Sequence, residues 1–310
     1  MVKEHKTDST WGWQPSALIC LALVVVGILL QWAVGPVNWT FFAWPDNIIT
    51  LTTLLAALLL MHLLRRKVKL FRYLVSLPAA LPSIATTLAL TMVMGLTRQD
   101  ANGHWLHDML AFWPFALAYT YMVIIVGLTT LRRLSKIMTS LCKNERSFHI
   151  ADLAFILNHA GLFLALTCGT LGNADVQRLK MITNLGAVEW RGVDDNGMLH
   201  NLPIAIELKR FIMETYDDGS PRRFASDIYV KTKKGQELTA TVDVNHPVEV
   251  NGWKIYQYGY DTKAGADSRI SIFELVRDPW LPYVYAGIFM MLSGALFMLF
   301  TNGRKEVKES

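Results

Sequence analysis

Asp152-Leu153-Ala154-Phe155-Ile156-Leu157-Asn158-His159-Ala160-Gly161 lies within an apolar run that extends from His149 to Thr170. At about 1.5 Å per residue such a run, wound as a helix, crosses a hydrocarbon core of roughly 30 Å. The polar pair Asn158-His159 falls near its middle. An ionisable residue at that depth costs roughly 2.5 to 3.5 kcal/mol or more on insertion scales, so it is found facing a bundle interior or a site. The stretch reads as a membrane helix with a task.

Further apolar runs stand on both sides of it. Spans are expected near residues 14–34, 47–64, 74–96, 110–131, 149–170 and 281–301, within a chain of 310 residues of which 52% are apolar. That composition excludes an ordinary soluble domain. The expected fold class is an α-helical transmembrane bundle of about six spans with a small extracytoplasmic antiparallel β-domain. The expected organisation is a membrane region at 1–148 with four spans, a fifth span at 149–170, a β-rich domain at 171–280, and a last span with a cytoplasmic tail at 281–310.

Basic residues set the expected orientation, because short loops rich in Lys and Arg stay in the cytoplasm. Arg65, Arg66, Lys67, Lys69 and Arg72 follow span two; Arg132, Arg133, Lys136, Lys143 and Arg146 follow span four; Arg304, Lys305 and Lys308 follow span six. The loops at 35–46 and 98–109 hold only Arg98. Both termini are therefore expected in the cytoplasm and residues 171–280 outside. Lys3 and Lys6 precede span one, which reads as a retained helix rather than a cleaved signal. Residues 171–280 carry 14 Lys and Arg against 16 Asp and Glu, so the net charge of +5 resides in the cytoplasmic loops. Those loops face anionic lipid of the bilayer, and nucleic-acid binding is not indicated.

Turn signals recur through the outer segment at Asp194-Asp195-Asn196-Gly197, Asp217-Asp218-Gly219, Lys233-Lys234-Gly235 and Asn251-Gly252. Between them Ile204, Ile206 and Leu208 alternate with Ala205, Glu207 and Lys209; Trp253, Ile255 and Gln257 alternate with Lys254, Tyr256 and Tyr258. A period of two marks half-buried strands, hence a small sandwich or an open barrel. Trp32, Trp39, Phe41, Phe42, Trp44, Trp105, Trp113, Trp280, Tyr283 and Tyr285 gather where spans meet the outer surface. They form an interfacial belt or a stacking and docking surface.

His159 is the foremost candidate site residue. A neutral imidazole ligates haem iron axially when its other nitrogen is held by a hydrogen bond; the alternative is a histidine that only packs helices together. Asp152, seven residues earlier, shares nearly the same helical face. His104 and His107 flank Trp105-Leu106 in an outer loop beside Asp108 and are candidates for a metal or haem at the outer surface, or are solvated. His62 and His149 read as interfacial, His200 and His246 as residues of the β-domain surface. Cys20, Cys142 and Cys168 make no Cys-x-x-Cys pair, and the chain has no phosphate loop, nucleophile elbow or Cys-x-x-Cys-His of its own.

Several ordered blocks carry a resemblance. They are Asp152 to Gly161, Ile206 to Phe211, Tyr216 to Pro221, Val244 to Pro247, Gly252 to Gln257, Ser271, Arg277-Asp278-Pro279 and Tyr285-Ala286-Gly287. Over roughly residues 148–300 the chain resembles the ResB (CcsB) family of System II cytochrome c biogenesis proteins. The resemblance implies a multi-pass protein of the bacterial inner (cytoplasmic) membrane. It implies a CcsA (ResC) partner subunit with a Trp-rich outer motif, transient passage of haem b across the membrane, and its covalent attachment to an apocytochrome c. In that setting the chain is a non-catalytic or shared-site subunit of a haem lyase, and His159 matches the family's intramembrane histidine by position. Two other readings stand beside it: a scaffold that never binds haem, and a b-type electron-transfer cytochrome.

Overall fold

A computed structural model describes residues 12–99, 105–143, 149–218 and 220–309. The chain divides into two compact units, Met1–Ala174 with Trp280–Ser310, and Asp175–Pro279.

The first unit is helical. Its helices are α1 (Trp13–Val34), α2 (Asp46–Leu64), the short α3 (Lys69–Tyr73), α4 (Leu77–Leu96), α5 (Trp113–Cys142), α6 (Ile150–Gly172) and α7 (Leu281–Glu309). Six of them contain stretches long and apolar enough to cross a membrane. The protein is a multi-pass membrane protein. Leu18, Leu29, Leu59, Leu88, Phe289 and Leu299 are among many large apolar side chains left exposed on these helices, as a lipid-facing surface requires.

Three boundaries differ from the hydropathy reading. The third span begins at Leu77, because Lys69–Tyr73 forms a helix of its own. The fourth continues to Cys142, so Arg132, Arg133 and Lys136 lie on a helix and not in a loop. The last helix runs on to Glu309, although its membrane-compatible part ends at Leu299. Hydropathy marks where lipid contact ends; helix propensity in Leu-, Arg- and Lys-rich sequence carries the backbone beyond that point.

Small residues allow the helices to approach closely. A Cβ on Gly161 of α6 would lie 2.6 Å from the Gly287 carbonyl oxygen of α7, and one on Gly287 would lie 2.6 Å from the Gly161 carbonyl oxygen. Farther along, a Cβ on Gly294 would meet Asn158 at 2.6 Å. A Cβ on Gly27 of α1 would strike the backbone of Pro114 in α5 at 2.5 Å, and one on Gly127 of α5 would strike Leu58 and Phe163. Lipid tails are as apolar as leucine, so contact of this kind supplies association that the hydrophobic effect does not.

The second unit is one eight-stranded antiparallel sheet in the order β5-β4-β3-β2-β1-β8-β7-β6. The strands are β1 (Gln177–Asn184), β2 (Val188–Val193), β3 (Leu199–Thr215), β4 (Pro221–Thr232), β5 (Glu237–Asp243), β6 (Val248–Val250), β7 (Trp253–Tyr260) and β8 (Ile270–Arg277). Asn251 and Gly252, both at positive φ (53° and 77°), close the β6–β7 hairpin where Val250 pairs with Trp253. Positive φ at both central residues is the backbone such a two-residue turn needs. β1 and β8 pair in register from Gln177 with Arg277 to Asn184 with Ile270.

The sheet curls into a nearly closed barrel. Ser226 of β4 and Ser271 of β8 share a buried hydrogen bond of 2.7 Å, although three strands separate β4 from β8 in the sheet order. Leu179, Met181, Leu202, Ile204, Ile206, Leu208, Ile228, Val230, Val242, Trp253, Ile255, Phe273 and Leu275 fill its interior. Of the two architectures that the alternation permits, this is the open barrel.

Candidate functional site

His159 stands midway along α6, half-buried. Its Nδ1 lies 3.0 Å from the carbonyl oxygen of Phe155, one turn earlier. A carbonyl only accepts, so in the neutral ring this bond places the proton on Nδ1 and leaves the lone pair on Nε2. The imidazole also stacks on the Phe155 ring, with centroids 3.9 Å apart and planes 15° from parallel. Carbonyl and ring together fix the tilt of the imidazole.

Phe155 connects this histidine to a charge. The Arg133 guanidinium, on α5, is 5.2 Å from the Phe155 ring centroid. Arg133 Nη2 donates to Asp152 Oδ1 at 2.5 Å, and Asp152 is 1% exposed. Asp152, Phe155 and His159 occupy positions i, i+3 and i+7 of α6 and share a face. The ladder runs from carboxylate to guanidinium to phenyl to imidazole. Arg133 Nε is buried and makes no hydrogen bond among the described residues.

Asn158 turns elsewhere. Its amide donates to the Ala154 carbonyl at 3.0 Å and approaches the Met298 sulfur at 3.8 Å, against Gly294 of α7. The neighbouring polar residues thus divide their work, Asn158 in the α6–α7 seam and His159 on the ladder.

The other histidines stand apart from this arrangement. His62 is buried, and the Arg65 guanidinium contacts its ring nitrogens. It lies in the last turn of α2 and faces inward, where the arginine that follows the helix covers it. His107 lies in a 3-10 turn, exposed, and donates from Nδ1 to the Arg98 carbonyl at 2.9 Å. His104 lies outside the described residues. His149 is the N-cap residue of α6 and makes no side-chain cap bond. His200 is 3.0 Å from Asp194, whose carboxyl that contact, with the backbone N–H of Met198, holds below the usual carboxylate range. His246 pairs through its backbone with Asp243 between β5 and β6. Among the described residues no three His, Cys, Asp or Glu side chains converge as a metal-binding group.

Arg133 and Phe155 were not singled out in the sequence. Hydropathy ends the fourth span near residue 131 and so leaves Arg133 among the loop cations. Phe155 is one of many aromatic residues on apolar helices. The available signal was the spacing of Asp152, Phe155 and His159.

The profile of the ResB-like family matches residues 149–272. A "Cytochrome c biogenesis protein CcsB" of Prochlorococcus marinus subsp. pastoris is 32% identical over 104 residues, 33% of this chain and 23% of that protein. One of the same name from Thermosynechococcus vestitus is 29% identical over 112 residues, 35% of this chain and 25% of that protein. The matched segment thus spans about a quarter of the length of these curated relatives. Among solved structures, a chain named "Cytochrome c Heme Lyase CcmF" superposes over 93% of this chain and 46% of its own, with 13% identity and a TM-score of 0.38; a likeness at that level carries no argument. The segment from the start of α6, through His159 and into the last strand of the sheet, is thus similar to the ResB-like family.

Proposed function

We propose that this chain is a subunit of a cytochrome c maturation complex and that His159 is an axial ligand to haem, the cargo, as it crosses the membrane. The observation that supports the reading best is the state of the ring: Nδ1 is engaged by the Phe155 carbonyl, so Nε2 is the nitrogen with a lone pair to offer. Iron in such a site takes two axial ligands, and this face of α6 supplies one. The second ligand comes from a partner of the CcsA (ResC) kind, which also carries the site of attachment to apocytochrome c. Both termini then lie in the cytoplasm and the sheet on the outer side, where β5 and β6, the two end strands of the sheet order, are the strands an extended polypeptide would pair with. His104 and His107 are secondary candidates as outer ligands. The role of this chain is to hold and orient haem; bond formation to the cytochrome is shared with, or left to, the partner.

The test is to co-express the chain with its partner, purify the complex through a tag on this chain, and record haem spectra of wild type and His159→Ala. Haem that falls in the variant and returns with added imidazole supports axial ligation. Equal haem in both, with cytochrome maturation lost, assigns the chain to scaffolding. An electron-transfer cytochrome would need a second histidine within the chain, and the ring of His62 is already covered by Arg65.

A further inference from the structure

At one end of the helical unit, arginines from the turn after α2, from α3 and from α5 gather: Arg66 and Arg132 act on Arg65 as like charges, and Arg72 reaches the Arg66 carbonyl. Arg65 follows the last turn of α2 and Arg66 comes next; Arg72 is on α3; Arg132 is on α5. Each of three is held by main-chain oxygen: Arg65 Nη1 to the His62 carbonyl at 3.4 Å, Arg72 Nη2 to the Arg66 carbonyl at 3.1 Å, Arg132 Nη1 to the Val75 carbonyl at 2.8 Å. Carbonyl bonds orient a guanidinium without neutralising it. Arg133, one residue on, has the Asp152 carboxylate; among the described residues none of these four has an ion pair with a carboxylate.

Their proximity is costly. Burial, together with the like charges of Arg66 and Arg132, works against the positive charge of Arg65 and pushes its pKa down. Positive charges held close together by their own backbone, with most N–H donors unused, call for an anion. Their depth narrows the choice. They lie where the apolar stretch Asp46–Leu64 ends, and Leu70 and Leu77 beside them are exposed, so the site adjoins acyl chains as well as headgroups. Forked guanidiniums match a phosphate oxygen pair in a way that lysine does not.

We propose that Arg65, Arg66, Arg72 and Arg132 form a binding site for the phosphodiester headgroup of an anionic phospholipid, which fastens α2, α3 and α5 to one another. This goes beyond the generic attraction of basic loops to anionic membranes, because it assigns the interaction to these arginines and not to Lys67 and Lys69, which lie between Arg66 and Arg72 in the chain.

The full-length protein is purified, delipidated and titrated in detergent with phosphatidylglycerol or phosphatidylcholine, with bound lipid counted by native mass spectrometry. Wild type is expected to prefer phosphatidylglycerol. Arg65→Gln with Arg132→Gln is expected to weaken that binding about tenfold or more, while Lys67→Gln with Lys69→Gln leaves it unchanged. Inorganic phosphate is not expected to displace the lipid. Equal binding of the two lipids, equal loss in the arginine and lysine variants, or displacement by phosphate overturns the proposal. If the glutamine pair melts below wild type, Arg65→Lys with Arg132→Lys decides: it keeps the charge and loses the fork, and phosphatidylglycerol binding as tight as wild type overturns the proposal.

Discussion

The α6–α7 seam and the interior of the sheet are packed by opposite means. In the sheet, large side chains such as Phe273, Ile206 and Leu275 are wholly buried, and the stabilisation comes from apolar area withdrawn from water. In the seam, Gly161 and Gly287 bring backbone against backbone and Gly294 makes room for Asn158, while the large side chains of α7 point outward. The solvent accounts for the difference. Where water surrounds a domain, volume inside is what stabilises it; where lipid does, close approach and hydrogen bonding between helices take over.

The contrast leads to unequal penalties. Phe273→Ala should cost about 3–5 kcal/mol in the sheet, seen as faster backbone hydrogen exchange across residues 177–277 with α6 and α7 unaffected. Exchange that stayed at the wild-type rate would mean that the barrel interior is not its source of stability. Arg133→Gln should cost roughly 3 kcal/mol of thermal stability in the helical unit, because the buried Asp152 loses its guanidinium. Arg133→Gln with Asp152→Asn should recover most of it. A double variant as unstable as the single one would show that the pair is not coupled.

Gly161→Val comes next, at about 1–3 kcal/mol, since its Cβ must displace the Gly287 carbonyl. The same exchange in the sheet at Gly197, a turn position with open space around it, should be felt only through its positive φ of 81°. Equal effects on melting temperature at both sites would erase the distinction between seam and turn.

The smallest expected effect is acid sensitivity in the sheet. Glu189 accepts hydrogen bonds from the Arg191 side chain and from the backbone N–H groups of Trp190 and Arg191, at the irregularity where β2 shifts register on β3. Its pKa, led downward by Arg191, falls from 4.5 to about 2. A depressed carboxyl stabilises the fold fully above its unfolded value, and that contribution disappears as the pH falls through about 2. Glu189→Gln should remove this part of the acid dependence, about 1 kcal/mol after allowance for solvent screening, read from sheet unfolding between pH 5 and pH 2. An unchanged acid profile would place the dependence on other carboxylates.

How much of this could be read from sequence varied with the kind of signal. The strands were readable because period-two alternation at Ile204, Ile206 and Leu208 records burial directly, and Asn251-Gly252 records backbone geometry. The spans were readable as lipid contact, though not as helix lengths: α5 keeps its winding past the point where its residues become basic. His159 stood out because a lone imidazole in an apolar run is anomalous. Its attachments did not, because one is a main-chain oxygen, invisible in composition, and another is a phenyl ring in a sequence rich in them. Arg133 needed the third dimension, since its carboxylate partner lies on the next helix.

The pairing of β1 with β8 has a consequence for the chain's modular character. The first and last strands lie side by side over their whole length, and in the helical unit Gly172 and Trp280, the residues near the two crossings, are themselves in contact. The sheet is therefore a closed excursion from a helical hairpin, leaving and returning through a single gate. Such an excursion can be enlarged, trimmed or exchanged without rethreading the helices, and a short linker joining the end of α6 to the start of α7 would leave the hairpin's own contacts intact. The sheet and the helical hairpin are in this sense separate modules of one chain.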